Sequence, residues 1–323
     1  MTSTHLRTGV FLDLETVDSG DLDRSRLEAS LPEWRWHDFS MPGEIPGRIA
    51  GADVVISNKC VLDRAALSQT PGLKLVALAA TGSNNVDLVA AAELGIAVCN
   101  IRDYATTAVA QHAITLMLNL LTGQPWYWQS VREGAWSHSR QFCLNHRPIR
   151  EARGLCFGVI GYGVLGRATA AMAQALGMEV IVAEYKGEAP RAGRVAFDEV
   201  IRRADVLSIH CPLNDRTRGM IDAAALRAMK RDALLINTAR GGIVVEQDLA
   251  DALRQGVIAG AGIDTLSKEP PPADHVLLAA DIPNLIVTPH NAWASRAARQ
   301  AAVDQLTAII HAFAAGQPMN RIA

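Results

Sequence analysis

Short apolar runs rich in β-branched residues alternate with alanine-rich stretches along most of the 323-residue chain, and this alternation restricts the possible folds more than any other feature. In the first hundred residues the strand candidates are GVFLDL, WRWHDF, ADVVIS, KLVALAA and IAVCN, and helical stretches such as NNVDLVAAAELG lie between several of them. A regular exchange of strand and helix patterns predicts βαβ units and parallel sheets.

A second, continuous series begins after Gly154, with the strand candidates LCFGVI, EVIVAE, DVLSIH, ALLINTA, IAGAGID and NLIVTP. The apolar stretch TTAVAQHAITLMLNLL precedes it, and SRAARQAAVDQLTAIIHAFAAG follows it. The first series lacks a final helix, which this C-terminal stretch can supply. The chain is too long for one ordinary core. We therefore predict an α/β protein of two Rossmann-like or flavodoxin-like domains with doubly wound parallel sheets. Residues 100–294 form one domain, inserted in a discontinuous domain of residues 1–99 plus 295–323.

The composition argues against several functional classes. The formal net charge is −2, which gives no electrostatic reason to expect nucleic acid or an anionic membrane as a partner. The N-terminus lacks the apolar core of a signal peptide, and no apolar run is long enough for a membrane span. Five scattered cysteines form no metal-binding or disulfide pattern. We expect a cytoplasmic protein without a metal site.

Residues 126–150 differ in texture from the rest of the chain. They carry Trp126, Tyr127, Trp128 and Trp136 in a stretch without a regular pattern. Aromatic side chains in an irregular segment usually pack against something, either the protein's own core or a second subunit. The sequence alone leaves both interpretations open.

A glycine-rich turn lies at the start of the second series. Gly161, Gly163 and Gly166 have G-x-G-x-x-G spacing, a strand pattern precedes them, and an alanine-rich helix pattern follows. Glu184, eighteen positions after Gly166, ends the next strand. This context predicts dinucleotide binding, with the pyrophosphate at the helix N-terminus and Glu184 accepting hydrogen bonds from the adenosine ribose. Glu184 should repel a 2′-phosphate and favour NAD, whereas Lys186 could attract one, so NADP is not excluded.

Three later strands end in residues suited to acid–base chemistry. Arg240 follows LLINTA, Asp264 ends IAGAGID with Glu269 shortly after, and His290 follows NLIVTP. Ligands of doubly wound sheets bind beyond the carboxyl ends of the strands. Each residue has an ordinary structural explanation when taken alone. Together they predict an anion-binding arginine and a histidine–carboxylate pair for proton transfer, beside the dinucleotide.

The motifs GYGVLG, HCPLNDRTRGMI, LLINTARGGIV, GAGIDTLSKEPPP and NLIVTPHNAWAS resemble, in this order, those of the D-isomer-specific 2-hydroxyacid dehydrogenases. HNAWAS and SNK are most similar to the glycerate dehydrogenase and hydroxypyruvate reductase branch. The resemblance covers nearly the whole chain, including VISNKCVLD and ATGSNNVDLVAA near its start. It implies that residues 1–99 plus 295–323 bind the substrate and residues 100–294 bind NAD(P), with a cleft between them that closes.

The resemblance also implies the roles of individual residues. Arg240 would bind the substrate carboxylate and carbonyl, and His290 would donate the proton, paired with Glu269. Other expected substrate-binding residues are Lys59, Thr81, Gly82, Ser83 and Trp293. Expected cofactor-binding residues are Gly161, Gly163, Val164, Leu165, Gly166, Glu184, His210, Cys211, Pro212, Thr217, Thr238, Ala239 and Asp264. A homodimer is implied, which favours a subunit interface at a segment near residues 107–150.

From these observations we predict an oxidoreductase that reduces a small 2-keto acid, with hydroxypyruvate or glyoxylate favoured, to the D-2-hydroxy acid. One alternative is a dinucleotide-sensing binding protein of the corepressor type on the same fold. A Rossmann methyltransferase is a second alternative, but it has no use for the arginine, carboxylate and histidine at the strand ends.

Overall fold

The computed structural model describes residues 4–323 and contains eleven strands and eleven α-helices within that range. The chain forms two compact units. One comprises the described residues up to Ala105 together with Ala294–Ala323, and the other is Thr106–Trp293. The first unit therefore includes residues 100–105 and Ala294, which the sequence analysis had assigned to the second domain. The assignment of substrate and cofactor to separate units stays a prediction.

The first unit is built on a five-stranded parallel sheet with strand order β2-β1-β3-β4-β5. Its strands are β1 (Thr8–Phe11), β2 (Glu33–Trp36), β3 (Val54–Ser57), β4 (Leu75–Leu78) and β5 (Ala97–Asn100). Its helices are α1 (Ser25–Glu28), α2 (Ile45–Ile49), α3 (Arg64–Ser68), α4 (Leu88–Glu93) and α11 (Arg296–Ala314). The buried face of α11, including Leu306 and Ile310, packs in the same cluster as Phe11 and Ile56 of the sheet. The C-terminal stretch thus completes the first series, as predicted.

The second unit contains a six-stranded parallel sheet with strand order β11-β10-β9-β8-β6-β7. Its strands are β6 (Cys156–Ile160), β7 (Glu179–Val182), β8 (Val206–Ile209), β9 (Leu234–Asn237), β10 (Gly260–Ile263) and β11 (Leu285–Val287). Its helices are α5 (Thr106–Thr122), α6 (Gln124–Arg132), α7 (Val164–Ala175), α8 (Phe197–Arg203), α9 (Ala223–Ala228) and α10 (Glu246–Arg254).

Helices cover both faces of this second sheet, which explains why its strands read as continuous apolar runs. Phe157 and Val159 of β6 face a cluster that includes α5 and α7, whereas Cys156 and Ile160 face the cluster formed with α8, α9 and α10. The predicted fold class, two doubly wound α/β sheets, is confirmed. Within residues 4–323, no helix is both long enough and apolar enough to span a bilayer.

The expectation that residues 126–150 are irregular is wrong for the first part of the segment. Helix α6 spans Gln124–Arg132, with Pro125 near its start and Gly123 in a left-handed conformation before it. Proline is well tolerated in the first turn, where its missing N–H costs no helical hydrogen bond. The helix was not predicted because its clustered aromatic residues do not produce the apolar periodicity that is typical of a helix.

Candidate active site

All six strands of the second unit end at the edge where the candidate residues lie. Gly161 follows β6, Glu184 follows β7, His210 follows β8, Arg240 follows β9 and His290 follows β11. Because the strands are parallel, their carboxyl ends share one edge of the sheet. The sequence prediction that these side chains gather there depends only on this topology.

The three glycines of the turn lie in different environments. Gly161 has a φ of +89°, and an added Cβ would lie 2.6 Å from the backbone nitrogen of Cys211. An added Cβ on Gly166 would lie 2.0 Å from the carbonyl oxygen of Gly161, so strand and helix approach too closely for any side chain. Gly163 has a φ of −77° and no protein atom within 4 Å of an added Cβ. Neither backbone strain nor protein packing requires glycine at position 163, and the open space there, at the N-terminus of α7, fits a pyrophosphate.

Buried polar atoms without a protein partner occur at the same edge of the sheet as this turn. Nδ1 of His210 and Oγ1 of Thr238 and Thr265 are buried and form no hydrogen bond within the described residues. They follow the neighbouring strands β8, β9 and β10. Such atoms are rare in native proteins and are usually satisfied by a ligand or water. Together with the space at Gly163 they fit a bound dinucleotide.

The side chains of His210 and Cys211 are uncharged near neutral pH, so they can bind polar, uncharged parts of a ligand. Nε2 of His210 lies 2.8 Å from Oγ of Ser208, and burial lowers the pKa of this histidine to about 4. Burial also raises the pKa of Cys211 to about 11. Thr217 holds the following loop, because its hydroxyl donates to the carbonyl of Pro212 at 2.7 Å and accepts from the N–H of Asn214 at 2.9 Å. Near neutral pH this edge therefore presents a neutral imidazole and a neutral thiol.

The structure brings His290 and Glu269 together. Nδ1 of His290 lies 2.5 Å from Oε2 of Glu269, and Oε1 of Glu269 accepts the backbone N–H of Leu266 at 2.8 Å. A carboxylate can only accept, so Nδ1 carries the proton in this contact and Nε2 is the nitrogen left for a substrate. His290 has a left-handed backbone with φ of +52°, which few residues other than glycine adopt.

Asp264 holds the turn that carries His290. Its side chain is almost completely buried, and its carboxylate accepts the hydroxyl of Thr288 at 2.6 Å and the N–H groups of Asn291 at 3.0 Å and Ala292 at 3.1 Å. Its carbonyl accepts the N–H of His290 at 2.9 Å. These contacts give Asp264 a positioning role. The nicotinamide contact that the resemblance implies stays a prediction.

Sequence reasoning missed His112, which joins this network from α5. Its Nε2 lies 3.0 Å from Oγ1 of Thr288 and 3.5 Å from Oδ1 of Asp264. The sequence analysis used TTAVAQHAITLMLNLL only as an apolar stretch, and the one histidine within it was the available signal.

Arg240 lies in a tight loop after β9, and its side chain is exposed. The side chain of Asn237 braces this loop, donating to the carbonyl of Arg240 at 3.0 Å and accepting from the N–H of Ala239 at 3.0 Å. Nη1 of Arg240 also donates to the carbonyl of Ala239 at 2.7 Å. A guanidinium has five N–H donors, so several stay available for an anionic ligand.

The loop after Arg240 packs against the loop that carries Glu269. An added Cβ on Gly241 would lie 2.0 Å from the carbonyl carbon and oxygen of Leu266. Glu246 ties the same loop down: it accepts the backbone N–H of Ser267 at 2.7 Å and the Ser267 hydroxyl at 2.6 Å, and it lies 3.1 Å from Nε2 of His275. Sequence reasoning missed Glu246 and His275, which belong to no motif.

The carboxylate of Glu184 is already occupied, which the sequence did not predict. Nε and Nη2 of Arg191 donate to its two oxygens at 2.7 and 2.6 Å, and the N–H groups of Tyr185 and Arg191 donate at 2.9 and 3.2 Å. The paired guanidinium lowers the pKa of Glu184 to about 2. The expected repulsion of a 2′-phosphate assumed an unpaired charge, whereas the structure pairs it.

The candidate substrate residues of the first unit lie in two loops at the ends of β3 and β4. Buried Asp13 fixes the first loop by accepting the N–H groups of Asn58, Lys59 and Cys60 at 2.9, 2.6 and 3.1 Å, and Lys59 is exposed. In the second loop, the hydroxyl of Thr81 donates to the carbonyl of Ile101 at 3.0 Å, and the carbonyl of Ser83 accepts from Val86. The sequence analysis did not identify Asp13.

The fold and the site of the second unit define a nicotinamide-dinucleotide-dependent oxidoreductase. Comparison with known proteins then specifies the family. Residues 114–292 match the family model described as "D-isomer specific 2-hydroxyacid dehydrogenase, NAD binding domain". The chain belongs to this family, and the predictions of an enzyme and of NAD(P) as its cofactor are confirmed.

Named relatives span nearly the whole chain. A glycerate dehydrogenase of Methylorubrum extorquens is 44% identical over 93% of this chain and 96% of its own length. A hydroxypyruvate reductase of Blautia hydrogenotrophica is 38% identical over 96% and 98%, respectively. The crystal structure of an NADPH-dependent glyoxylate/hydroxypyruvate reductase from Sinorhizobium meliloti, in complex with NADP and malonate, is 26% identical with a TM-score of 0.81, and covers 99% of this chain and 97% of the other.

Proposed function

We propose that this 2-hydroxyacid dehydrogenase reduces hydroxypyruvate or glyoxylate to the D-2-hydroxy acid or its achiral counterpart, with His290 as the proton donor. The observation that carries the proposal is the 2.5 Å contact between Nδ1 of His290 and Glu269, on the same sheet edge as Arg240 and the glycine-rich turn. The names of the relatives from Methylorubrum and Blautia support the choice of a small, polar keto acid.

The proposed reaction divides the work among three side chains. Arg240 binds the carboxylate of the keto acid in a bidentate pair and polarises the adjacent carbonyl. A reduced nicotinamide, when bound, would supply the hydride that the carbonyl carbon accepts. Nε2 of protonated His290 gives its proton to the oxygen as negative charge develops there, and the imidazole becomes neutral. Glu269 holds Nδ1–H throughout and stabilises the imidazolium before the transfer.

The remaining candidates are assigned as follows. Lys59, Thr81, Gly82, Ser83 and Trp293 are proposed to bind the substrate. The glycines of the turn, Val164, Leu165, His210, Cys211, Pro212, Thr217, Thr238 and Ala239 are proposed to bind the cofactor. The neutral state of His210 supports this role, since an uncharged imidazole can donate or accept next to a ribose or an amide.

The test is a two-by-two comparison of enzyme and substrate. We expect hydroxypyruvate and glyoxylate to be reduced faster than bulky apolar keto acids, measured by oxidation of the reduced nicotinamide. Arg240→Lys should lower kcat/KM for these acids by about 30- to 1000-fold, because an ammonium cannot reproduce a bidentate pair. An aldehyde without a carboxylate should be a poor substrate of both enzymes. An equal loss on both compounds would show that Arg240 supports the fold or the cofactor instead.

We also propose that the second unit forms a homodimer through the segment near residues 107–150. Its support is that this segment exposes several large apolar side chains: Trp128, Trp136, Ile149 and Phe142, the last 91% exposed. Exposed aromatic and apolar side chains are enriched at subunit interfaces. Light scattering should give twice the monomer mass, and Phe142→Ser with Trp136→Ser should shift it toward the monomer. A monomeric wild type would refute the proposal.

A further inference from the structure

The region around Glu184 carries basic side chains that the proposed chemistry does not use. The segment 184–194 contains three cations, Lys186, Arg191 and Arg194, against two carboxylates, Glu184 and Glu188. The local charge is therefore positive where a lone Glu184 would predict a negative one. This matters because the acidic residue after the second strand of a dinucleotide fold lies beside the adenosine ribose, where NAD carries a hydroxyl and NADP a phosphate.

We propose that Arg191 binds the 2′-phosphate of NADP(H), so that this enzyme binds NADPH at least as tightly as NADH. The inference rests on the proposed position of the dinucleotide at the glycine-rich turn, and it adds which form of the cofactor is bound and the residue that selects it.

Arg191 is placed to do two things at once. Its Nε and Nη2 neutralise Glu184, whose side chain is only 1% exposed. The Arg191 side chain as a whole is 62% exposed. Two of its five N–H groups are used by the carboxylate, so three stay available to a phosphate. A paired carboxylate also presents little net charge to an incoming anion, which removes the usual reason for discrimination against NADP.

Aromatic rings hold the neighbouring cations in place. The ring of Tyr185 has the guanidinium of Arg191 at 5.4 Å and that of Arg216 at 4.8 Å from its centroid. Arg194 lies 5.2 Å from the ring of Tyr162, a residue of the glycine-rich turn. Stacking of this kind orients an arginine without consuming its N–H donors. The basic segment is therefore anchored beside the turn that takes the pyrophosphate.

The other cations contribute unequally. Arg216 is paired with Glu188 at 2.5 Å, so its charge is largely compensated. Lys186 and Arg194 bind the backbone carbonyls of Met220 and Ala183, both at 3.3 Å, and these neutral acceptors leave their charge in place. Arg191 differs from both in being fixed by two short hydrogen bonds to the acidic residue itself.

The experiment measures binding by calorimetry, with NADPH, NADH, 2′,5′-ADP and 5′-AMP as ligands. We expect the wild type to bind NADPH no more weakly than NADH, and 2′,5′-ADP about tenfold or more tighter than 5′-AMP, since a phosphate at Arg191 adds charge-assisted hydrogen bonds. Raising the salt concentration should weaken NADPH binding more than NADH binding. A wild type that binds NADH about tenfold or more tighter than NADPH would overturn the proposal.

Three variants identify the residue responsible. Arg191→Gln should weaken NADPH and 2′,5′-ADP by about tenfold or more and NADH by less than about threefold. Arg203→Gln is the matched control: Arg203 is also an exposed, paired arginine, but it contacts Glu199 and Glu179, the latter at the opposite end of β7. It should change nothing. The double variant Glu184→Gln/Arg191→Gln should still bind NADPH as weakly as Arg191→Gln alone. Recovery of wild-type affinity would mean that Arg191 only neutralises Glu184 and does not touch the phosphate.

Thermal melting of each variant verifies that it is folded, and Arg191→Lys keeps the proposal testable if the glutamine variant is not. A lysine retains the charge without the fork, so NADPH affinity should fall between wild type and Arg191→Gln. Since 2′,5′-ADP lacks a nicotinamide, its binding does not depend on keto-acid reduction. Intact discrimination with no reduction of any keto acid would contradict the proposed function and leave this inference standing.

Discussion

Gly241→Ala tests whether the loops that carry Arg240 and Glu269 act as one packed unit. The substitution adds a single methyl group at a position without a positive φ, so its effect comes from contact alone. The added carbon would lie 2.0 Å from the carbonyl carbon and oxygen of Leu266 and 2.3 Å from the nitrogen of Ser267. All three are backbone atoms, so no side chain can rotate away to make room.

The size of the effect follows from these distances. To reach an ordinary contact of about 3.5 Å, the two backbones must separate by about 1.5 Å. Glu269 lies three residues beyond Leu266 and holds His290, so the proton donor moves relative to Arg240. A misplacement of about 1 Å costs on the order of 100-fold in rate. We therefore expect kcat/KM for the keto acid to fall about 100-fold, with a loss of about 1–3 kcal/mol in unfolding free energy from overpacking.

The assay is steady-state reduction of hydroxypyruvate, together with calorimetric binding of 5′-AMP and a thermal melt. Affinity for 5′-AMP, the adenosine half of the cofactor, should change less than about threefold, because the glycine-rich turn and Glu184 follow other strands. Gly47→Ala is the control: Gly47 lies in α2 of the other unit, and no atom lies within 4 Å of its added Cβ. It should leave activity unchanged, and the free energy of unfolding should stay the same or rise by up to about 1 kcal/mol, because alanine is the better helix former. A Gly241→Ala enzyme with both kcat/KM and melting temperature near wild type would refute the packing argument.

If Gly241→Ala does not fold, Ser267→Ala is a less disruptive test of the same loop contacts. It removes the 2.6 Å hydroxyl contact to Glu246 and keeps the backbone contact at 2.7 Å. Loss of one charge-assisted hydrogen bond in the support of Glu269 should lower kcat by about 5- to 30-fold with little change in KM. An unchanged kcat would show that Glu246 does not position the catalytic loop.

Three further substitutions probe single groups. His290→Ala should lower kcat by ~10²–10⁴-fold and leave cofactor affinity nearly intact, and near-normal turnover would exclude it as the proton donor. Glu269→Gln should lower kcat by about tenfold or more with little change in cofactor affinity, because Nδ1–H of His290 loses the anionic acceptor that holds it at 2.5 Å; an unchanged kcat would contradict the pairing. In His210→Asn the free energy of unfolding should fall less steeply than in the wild type as the pH is lowered. Burial lowers the pKa of His210 from 6.5 to about 4, so the unfolded chain takes up its proton first and wild-type stability declines as the pH falls through this window. Urea denaturation at several pH values measures the difference, and parallel wild-type and variant curves would refute it.

The sequence predicted the parts of this molecule that depend on local pattern and sheet topology. All strand candidates form strands, and the residues after them meet at one edge because parallel strands must end together. Gly161 and Gly166 are in the predicted turn for steric reasons that any G-x-G-x-x-G would share. The exception is α6, where clustered tryptophans replace the periodic apolar pattern on which helix prediction depends.

The residues that sequence reasoning missed act through contacts between distant segments. His112 reaches Asp264 from a helix more than a hundred residues earlier, and Glu246 reaches Ser267 from the start of α10. No spacing rule connects such pairs, since their proximity follows only from how helices pack on the sheet. Arg191 is close to Glu184 in sequence, but it lies in a loop, where periodicity does not indicate which side chains meet. The sequence therefore predicted the place of Glu184 after β7 correctly, but it did not predict that the carboxylate is paired with Arg191.

Because the backbone of His290 is left-handed, glycine is the residue with the least backbone strain at this position. A φ of +52° is strained for histidine and relaxed for glycine, with a difference of about 1 kcal/mol. Substitution by glycine would relieve that strain, but it would also remove the hydrogen bond to Glu269 and the proposed proton donor. The backbone at this position therefore favours a residue that cannot perform the proposed chemistry, and selection for turnover opposes that preference.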